Sequence, residues 1–116
     1  MSEIQRIRNQ IRKVSRRLSK PGEDPRNSDR VLWGALAAAS FAGVTGQSED
    51  LTIDPETILG DLLAALMHWS DAQKRNPLLE ETIDFESALE RARNHYHEES
   101  AAVENNGVIV RSDPAG

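Results

Sequence analysis

The segment "DPETILGDLLAALMHWSDAQK", residues 54–74, decides the fold class because it joins a helix start signal to a long helical pattern. Asp54 is a typical N-cap residue, and Pro55 suits the first turn because its missing N–H would have no helical partner there. On a helical wheel of about 100° per residue, six apolar side chains share one broad face. They are Ile58, Leu59, Leu62, Leu63, Leu66 and Trp69. We therefore predict an amphipathic helix that runs to about Lys74 and buries this face.

Two segments before it also predict helices. Five apolar residues near the N-terminus follow a heptad spacing and form a narrow stripe, which we call the N-terminal seam. They are Ile4, Ile7, Ile11, Val14 and Leu18. The seam is too short for an independent coiled coil, so we expect it to lie on the rest of the chain or on a second copy. The segment "VLWGALAAASFAG", residues 31–43, is apolar nearly all round and indicates a central helix with Ser28 or Asp29 as its N-cap.

The rest of the chain predicts a loop, a fourth helix and a tail. "VTGQSEDLT", residues 44–52, is expected to be a loop, and the fourth helix follows Thr82 or Asp84 as N-cap and ends at "NNG", residues 105–107. Its predicted buried stripe holds Phe85, Ala88, Leu89, Ala92, Tyr96 and Val103. The last segment, "VIVRSDPAG", forms either a short strand or a frayed end.

Together these patterns predict an all-α fold, a small single-domain bundle of about four helices with a short C-terminal tail. Residues 1–20 form a basic amphipathic helix, residues 21–104 the helical core, and residues 105–116 a flexible tail. Five positions that agree with the helical period are expected to be buried. They are Leu36, Leu62, Leu66, Leu89 and Tyr96.

Composition narrows the functional classes. The 116 residues include no cysteine, which excludes disulfides, thiolate catalysis and cysteine-ligated metal centres. The N-terminus is basic without an apolar segment behind it, unlike a secretory signal, and no apolar run reaches the roughly 20 residues that span a bilayer. We therefore expect a soluble protein of the cytoplasm, in the cytosol of a host cell, with no membrane partner.

The charges divide the chain into a basic arm and an acidic body. Residues 1–20 hold seven basic side chains and one acid, whereas the remaining residues hold seven bases and eighteen acids. The segment from Glu49 to Glu104 holds fourteen acids and four bases, and we call it the acidic segment. A basic arm binds nucleic acid or acidic protein surfaces, but phosphates repel an acidic body, so nucleic acid is the less favoured partner.

The three histidines do not predict a metal site. His68 lies opposite the apolar face of its helix, and His95 and His97 point about 200° apart on theirs, so they cannot chelate one ion. A site assembled from His68, Asp71 and either His95 or Glu99 is the alternative, if the two helices pack side by side. We predict no cofactor, no metal and no catalytic residues, since carboxylate pairs such as 80–81 and 98–99 are typical of solvated helix surfaces. The expectation is a protein that is not an enzyme.

Two motifs in the C-terminal half of the chain resemble a group of small helical proteins from phages, plasmids and integrated elements. The first motif comprises Asp61, Leu62, Leu63, Leu66, His68, Trp69 and Asp71. The second comprises Asp84, Phe85, Ala88, Leu89, Ala92, His95, Tyr96 and Glu99. The link between them is longer than in that group, and the basic N-terminal helix lies outside the match. The resemblance implies a mobile-element origin and no established enzyme activity.

A mobile-element origin in turn implies binding to a host protein, and the leading hypothesis is an anti-CRISPR protein that inhibits a CRISPR–Cas effector or nuclease. Rows of carboxylates on the acidic segment would face a basic groove and steer the encounter. The predicted partner-binding residues are Asp61, His68, Asp71, Glu98, Glu99, Arg12, Arg16 and Arg17.

Three alternatives remain open on the sequence. The acidic surface is also typical of a small protein that is merely kept soluble by charge. The basic N-terminal helix is compatible with a small DNA-binding accessory regulator, although no recognition-helix signature accompanies it. The N-terminal seam is compatible with a helical assembly module that forms a homodimer.

Overall fold

The computed structural model describes residues 2–105, and the side chains of residues 2–101. Five helices and no strand lie within this range, and the prediction of an all-α fold is confirmed. The helices are α1 (Glu3–Leu18), α2 (Asn27–Thr45), α3 (Asp50–Ile53), α4 (Pro55–Lys74) and α5 (Phe85–Asn105). The predicted strand or tail after residue 105 and the predicted side-chain position of Val103 lie outside the described residues.

The chain divides into two compact units, and the boundary falls within α4. The first unit is Met1–His68, and the second begins at Trp69. In the described part of the chain, the helix pairs in close contact are α1 with α2 and α2 with α3, so α2 is the middle helix of the first unit. None of the described helices is both long and apolar enough to span a bilayer.

The N-terminal seam packs within the chain. Ser2 caps α1 by accepting a hydrogen bond from the Gln5 N–H at 3.1 Å. Ile7 and Val14 are buried, while the other three seam residues are half-buried. Because α1 lies against α2, the seam covers one side of that alanine-rich helix. Of the two expected positions, on the rest of the chain or on a second copy, the N-terminal seam thus takes the first.

The start of α2 differs from the prediction. The helix begins at Asn27 after Arg26 as N-cap, so neither Ser28 nor Asp29 is the N-cap. Asp29 lies at the third helical position, where its carboxylate accepts a hydrogen bond from the Arg26 N–H at 2.9 Å. This is the reciprocal half of a capping box, which moves the helix start toward the N-terminus.

Asp29 also joins α1 to α2. Its carboxylate is buried and forms an ion pair with Arg17 of α1, which lies 3.6 Å from Glu23 as well. The hydrogen bond from the Arg26 N–H lowers the pKa of Asp29; burial opposes this effect, and the hydrogen bond and charge of Arg17 lower the pKa further. The carboxylate therefore stays ionised inside the fold.

The loop predicted for residues 44–52 is shorter than expected. α2 continues through Thr45 and ends at Gly46, whose φ of 76° lies in the left-handed region that favours glycine. The N–H of Gln47 then donates to the carbonyl of Ala42 at 2.7 Å and closes the helix end. The short helix α3 follows, where the sequence had no helical period long enough to predict it.

The starts of α4 and α5 agree with the sequence. The carboxylate of Asp54 accepts hydrogen bonds from the Thr57 N–H at 3.3 Å and from its hydroxyl at 2.6 Å, and α4 ends at Lys74 as predicted. Of the two candidates for α5, Asp84 is the cap, since it accepts a hydrogen bond from the Ser87 N–H at 3.0 Å. The hydrogen bonds from the hydroxyl and N–H of Ser87 lower the pKa of Asp84.

The predicted core is only partly buried. Ile58 is 1% exposed, and Leu36, Leu62 and Leu89 are half-buried, as a helical period would place them. The burial predicted for Leu66 and Tyr96 is wrong, because they are 41% and 67% exposed. Three further residues of the predicted buried face of α4 are exposed as well: Leu59, Leu63 and Trp69. Ala88 and Ala92, from the predicted stripe of α5, are exposed as well. A helical period shows which side chains share a face, but not how much of that face a neighbouring helix covers.

Truncation of Ile58 and Leu66 should therefore have different effects. We expect Ile58→Ala to lower the free energy of unfolding by about 2–5 kcal/mol, as the loss of a buried aliphatic side chain does. The half-exposed Leu66 already meets water, so Leu66→Ala should cost less than about 1 kcal/mol. Urea unfolding followed by circular dichroism measures both values, and equal losses would contradict this assignment of the buried face.

The ionised state of Asp29 predicts a pH-dependent contribution to stability. A carboxylate whose pKa is lowered by folding stabilises the fold above its unfolded pKa and loses this contribution as the pH falls through the folded pKa. We expect Asp29→Asn to lower Tm at pH 7, and the difference from the unaltered protein to shrink below the ordinary pKa of 3.8. Thermal melts from pH 7 to about pH 2 test this expectation.

The exposed Asp24 in the same connection provides the control. Asp24→Asn should leave Tm nearly unchanged at pH 7, since surface substitutions usually have small effects. A Tm difference for Asp29→Asn that stays constant down to the lowest pH would show that the substitution acts through shape and not through charge.

Candidate protein-binding surface

α4 exposes carboxylates on one side, as predicted. Asp61 and His68 belong to the first unit, lie about 20° apart on the helical wheel and are both exposed. Asp61 accepts a hydrogen bond from the Gln47 side chain at 2.9 Å. Asp71 belongs to the second unit, is exposed and lies 3.7 Å from the Lys74 ammonium group.

A second side of α4 exposes apolar side chains that the sequence did not assign to a surface. They are spaced like successive turns of one helix face, and we call them the α4 stripe. The α4 stripe consists of Leu59, Leu63, Leu66 and Met67. Each of these side chains is more than one third exposed, and all four belong to the first unit.

The width of the apolar face is the signal that could have revealed this stripe. From Ile58 to Leu63 the face spans about 140° of the wheel, which is wider than the roughly 100° that a core-facing helix buries. Ile58 and Leu62 lie toward the buried edge, whereas Leu59 and Leu63 lie toward the exposed edge. One edge of the face is thus covered and the other meets water.

The predicted binding residues of α5 lie in the second unit. Glu98 is exposed and Glu99 is half-buried. His95 and His97 are exposed on the two sides of Tyr96, and the rings of Tyr96 and His97 meet edge to face at 5.7 Å between centroids. This surface belongs to a different unit from Asp61 and His68, so we treat it as a separate acidic surface.

The predicted basic contact residues of α1 fall into two groups. Arg12 and Arg16 are exposed, and Arg12 donates a hydrogen bond to the Asn9 side chain at 3.1 Å. Arg17 differs from them, because it points toward α2 and pairs with Asp29. A heptad-flanking position places Arg17 beside the seam, where a carboxylate on α2 can capture it.

A cavity of about 330 Å³ between α1, α2 and α3 is lined by Ile7, Ala35, Ala39 and Leu51 among others. Its carboxylate, Glu3, is paired with Arg6 at 2.5 Å. Among the described residues, no group of three histidine or carboxylate side chains is placed to hold a metal ion.

Comparison of the chain with protein-family models, with curated proteins and with solved structures finds no match.

Proposed function

We propose that this protein is a non-enzymatic inhibitor that binds a host defence protein, with a CRISPR–Cas effector as its target class. The observation that carries the proposal is the two-sided exposure of α4 within the first unit, with the α4 stripe on one side and Asp61 and His68 on another. Contiguous exposed apolar side chains on a helix are typical of a surface that a partner covers.

The α4 stripe would supply most of the affinity. Its residues follow the spacing i, i+4, i+7 and i+8, by which amphipathic helices occupy apolar grooves. Burial of a fully exposed leucine is worth about 1.5–3 kcal/mol, and these half-exposed side chains would each contribute a part of that. The residues of one helix face can enter one groove together without a change of backbone.

The carboxylates would select the partner by charge. An exposed ion pair is worth only about 0.2–1 kcal/mol, so several of them would share the work. Complementary charge raises the rate of encounter and disfavours acidic partners. The partner would therefore contact two sides of α4, with an apolar groove for the α4 stripe and lysine or arginine side chains for the opposite side, where Asp61 lies.

A CRISPR–Cas effector offers such a basic surface because it holds its guide–target duplex in a positively charged channel. Occupation of this channel, or of a neighbouring basic groove, would block nucleic-acid binding or nuclease recruitment. The resemblance of the two C-terminal motifs to proteins of mobile elements supports this target class, since such elements are what these effectors attack.

A DNA-binding accessory regulator is the second candidate, and the exposure of Arg12 and Arg16 on α1 favours it. The N-terminal seam faces α2, and Arg17 pairs with Asp29 there, whereas these two arginines point toward solvent. The acidic segment would repel phosphates, however, so this candidate requires α1 alone to make the contact.

Inhibition of purified CRISPR–Cas effectors tests the main proposal. We expect the protein to inhibit DNA binding or cleavage by an effector, and Leu59→Asp to weaken inhibition about tenfold or more, because it puts a charge into the α4 stripe. Leu78→Asp is the matched control: Leu78 is 87% exposed and lies outside the α4 stripe, so inhibition should persist.

The charges are tested with two double variants. Asp61→Lys with Asp71→Lys should weaken inhibition and leave the circular dichroism spectrum unchanged, since both side chains are exposed. Arg12→Glu with Arg16→Glu should leave inhibition intact. Loss of activity in the arginine variant alone, together with binding to random duplex DNA that weakens steeply with salt, would replace the inhibitor with the DNA-binding regulator.

A further inference from the structure

α2 carries two apolar seams on nearly opposite sides. The first, Ala35, Ala39 and Ala42, lies toward α1, since Ala35 and Ala39 line the same cavity as Ile7. Ala39 and Ala42 are buried there. The first seam is thus already covered within the chain.

The second seam is uncovered, and we call it the open seam. It consists of Trp33, Ala37, Ser40 and Val44. Its spacing of 4, 3 and 4 residues is that of successive core positions in a coiled coil, and on the wheel it lies about 160° from the first seam. Trp33 is 41% exposed, Val44 is 87% exposed, Ala37 is exposed and Ser40 is half-buried. A helix that is apolar all round is normally covered on every side, so this seam lacks a partner.

The open seam is also free of charge. Residues 31–48 form the longest stretch of the chain without Asp, Glu, Lys or Arg. In coiled coils, charged residues beside the seam determine which partner is accepted, and the nearest charged residue on this side of α2 is Arg30, one turn before Trp33. The cores of homodimer interfaces are likewise apolar and poor in charge.

We propose that the open seam binds the open seam of a second copy of this chain and forms a two-fold symmetric homodimer. Trp33 and Val44 would be the projecting side chains, and Ala37 and Ser40 would leave room for those of the partner copy. A two-fold interface brings the same surface from both copies together, so a surface without charge avoids like-charge repulsion.

Other surfaces are less suited to self-association. A homodimer through the N-terminal seam would require α1 to leave α2, because Ile7 and Val14 are only 6% and 7% exposed. The acidic segments of two copies repel each other. We therefore propose the open side of α2, and not α1, as the self-association site.

The dimer should be weak and reversible. A single pair of helices buries less than the roughly 1,200 Å² of a stable interface, so the monomer and dimer should exchange with concentration. This inference is independent of the proposed inhibitory function, since it involves a different helix and a purified protein without a partner.

Sedimentation equilibrium of the full chain, from about 10 to about 500 μM, tests the proposal. We expect the average mass to rise from one toward two chains as the concentration increases. Val44→Lys should raise the dimer dissociation constant about tenfold or more, because it puts an unpaired charge in the seam of both copies. A variant with Trp69→Phe leaves Trp33 as the reporter, and its emission should shift to shorter wavelength as the dimer forms.

Val31→Lys is the matched control. Val31 is a valine of the same helix and 69% exposed, but it lies about 140° from Val44 on the wheel. This variant should dimerise as the unaltered chain does. A chain that remains monomeric throughout the range would overturn the proposal, as would a dimer that survives Val44→Lys or one that both lysine variants weaken equally.

Discussion

The buried carboxylate of Asp29 is the constraint on which the first unit depends. An ionised group removed from water needs both hydrogen bonds and an opposite charge, and here these come from the Arg26 N–H and from Arg17. Because Arg17 belongs to α1, this requirement fixes where the end of α1 lies against the start of α2. The N-terminal seam then meets the alanine side of α2, and Trp33 and Val44 remain on the other side.

Local sequence patterns were sufficient to predict a helix start where the capping hydrogen bonds join residues close together in sequence. Asp54 was predicted as a cap, and Asp84 was one of two candidates, because a cap requires only a short side chain and the N–H groups two or three residues ahead. The start of α2 was missed because Asp29 makes two contacts: it accepts a hydrogen bond from the Arg26 N–H and forms an ion pair with Arg17. The ion pair involves a residue far away in sequence, and no pattern in residues 26–30 reveals it.

For the candidate surface, the sequence predicted the exposure of the charged side chains but not that of the apolar side chains. Asp61, His68 and Asp71 were expected to face water because a charge is costly to bury, and they do. The exposure of Leu59 and Leu66 was not expected, because the sequence does not show how many neighbours α4 has. The inward position of Arg17 was not expected either, because the sequence does not show that the buried carboxylate of Asp29 lies opposite it.

The two uncovered apolar faces of the first unit differ in the charges around them, and that difference separates their roles. Two copies that met through the α4 stripe would keep Asp61 on their outer sides, but the acidic segments of both copies would approach each other, and like charges disfavour the pair. The same carboxylates favour a basic partner. Like-charge repulsion does not oppose contact between two open seams, since residues 31–48 hold no charge. Under the two proposals, charge would direct the α4 stripe toward a different protein and would allow the open seam to bind its own copy.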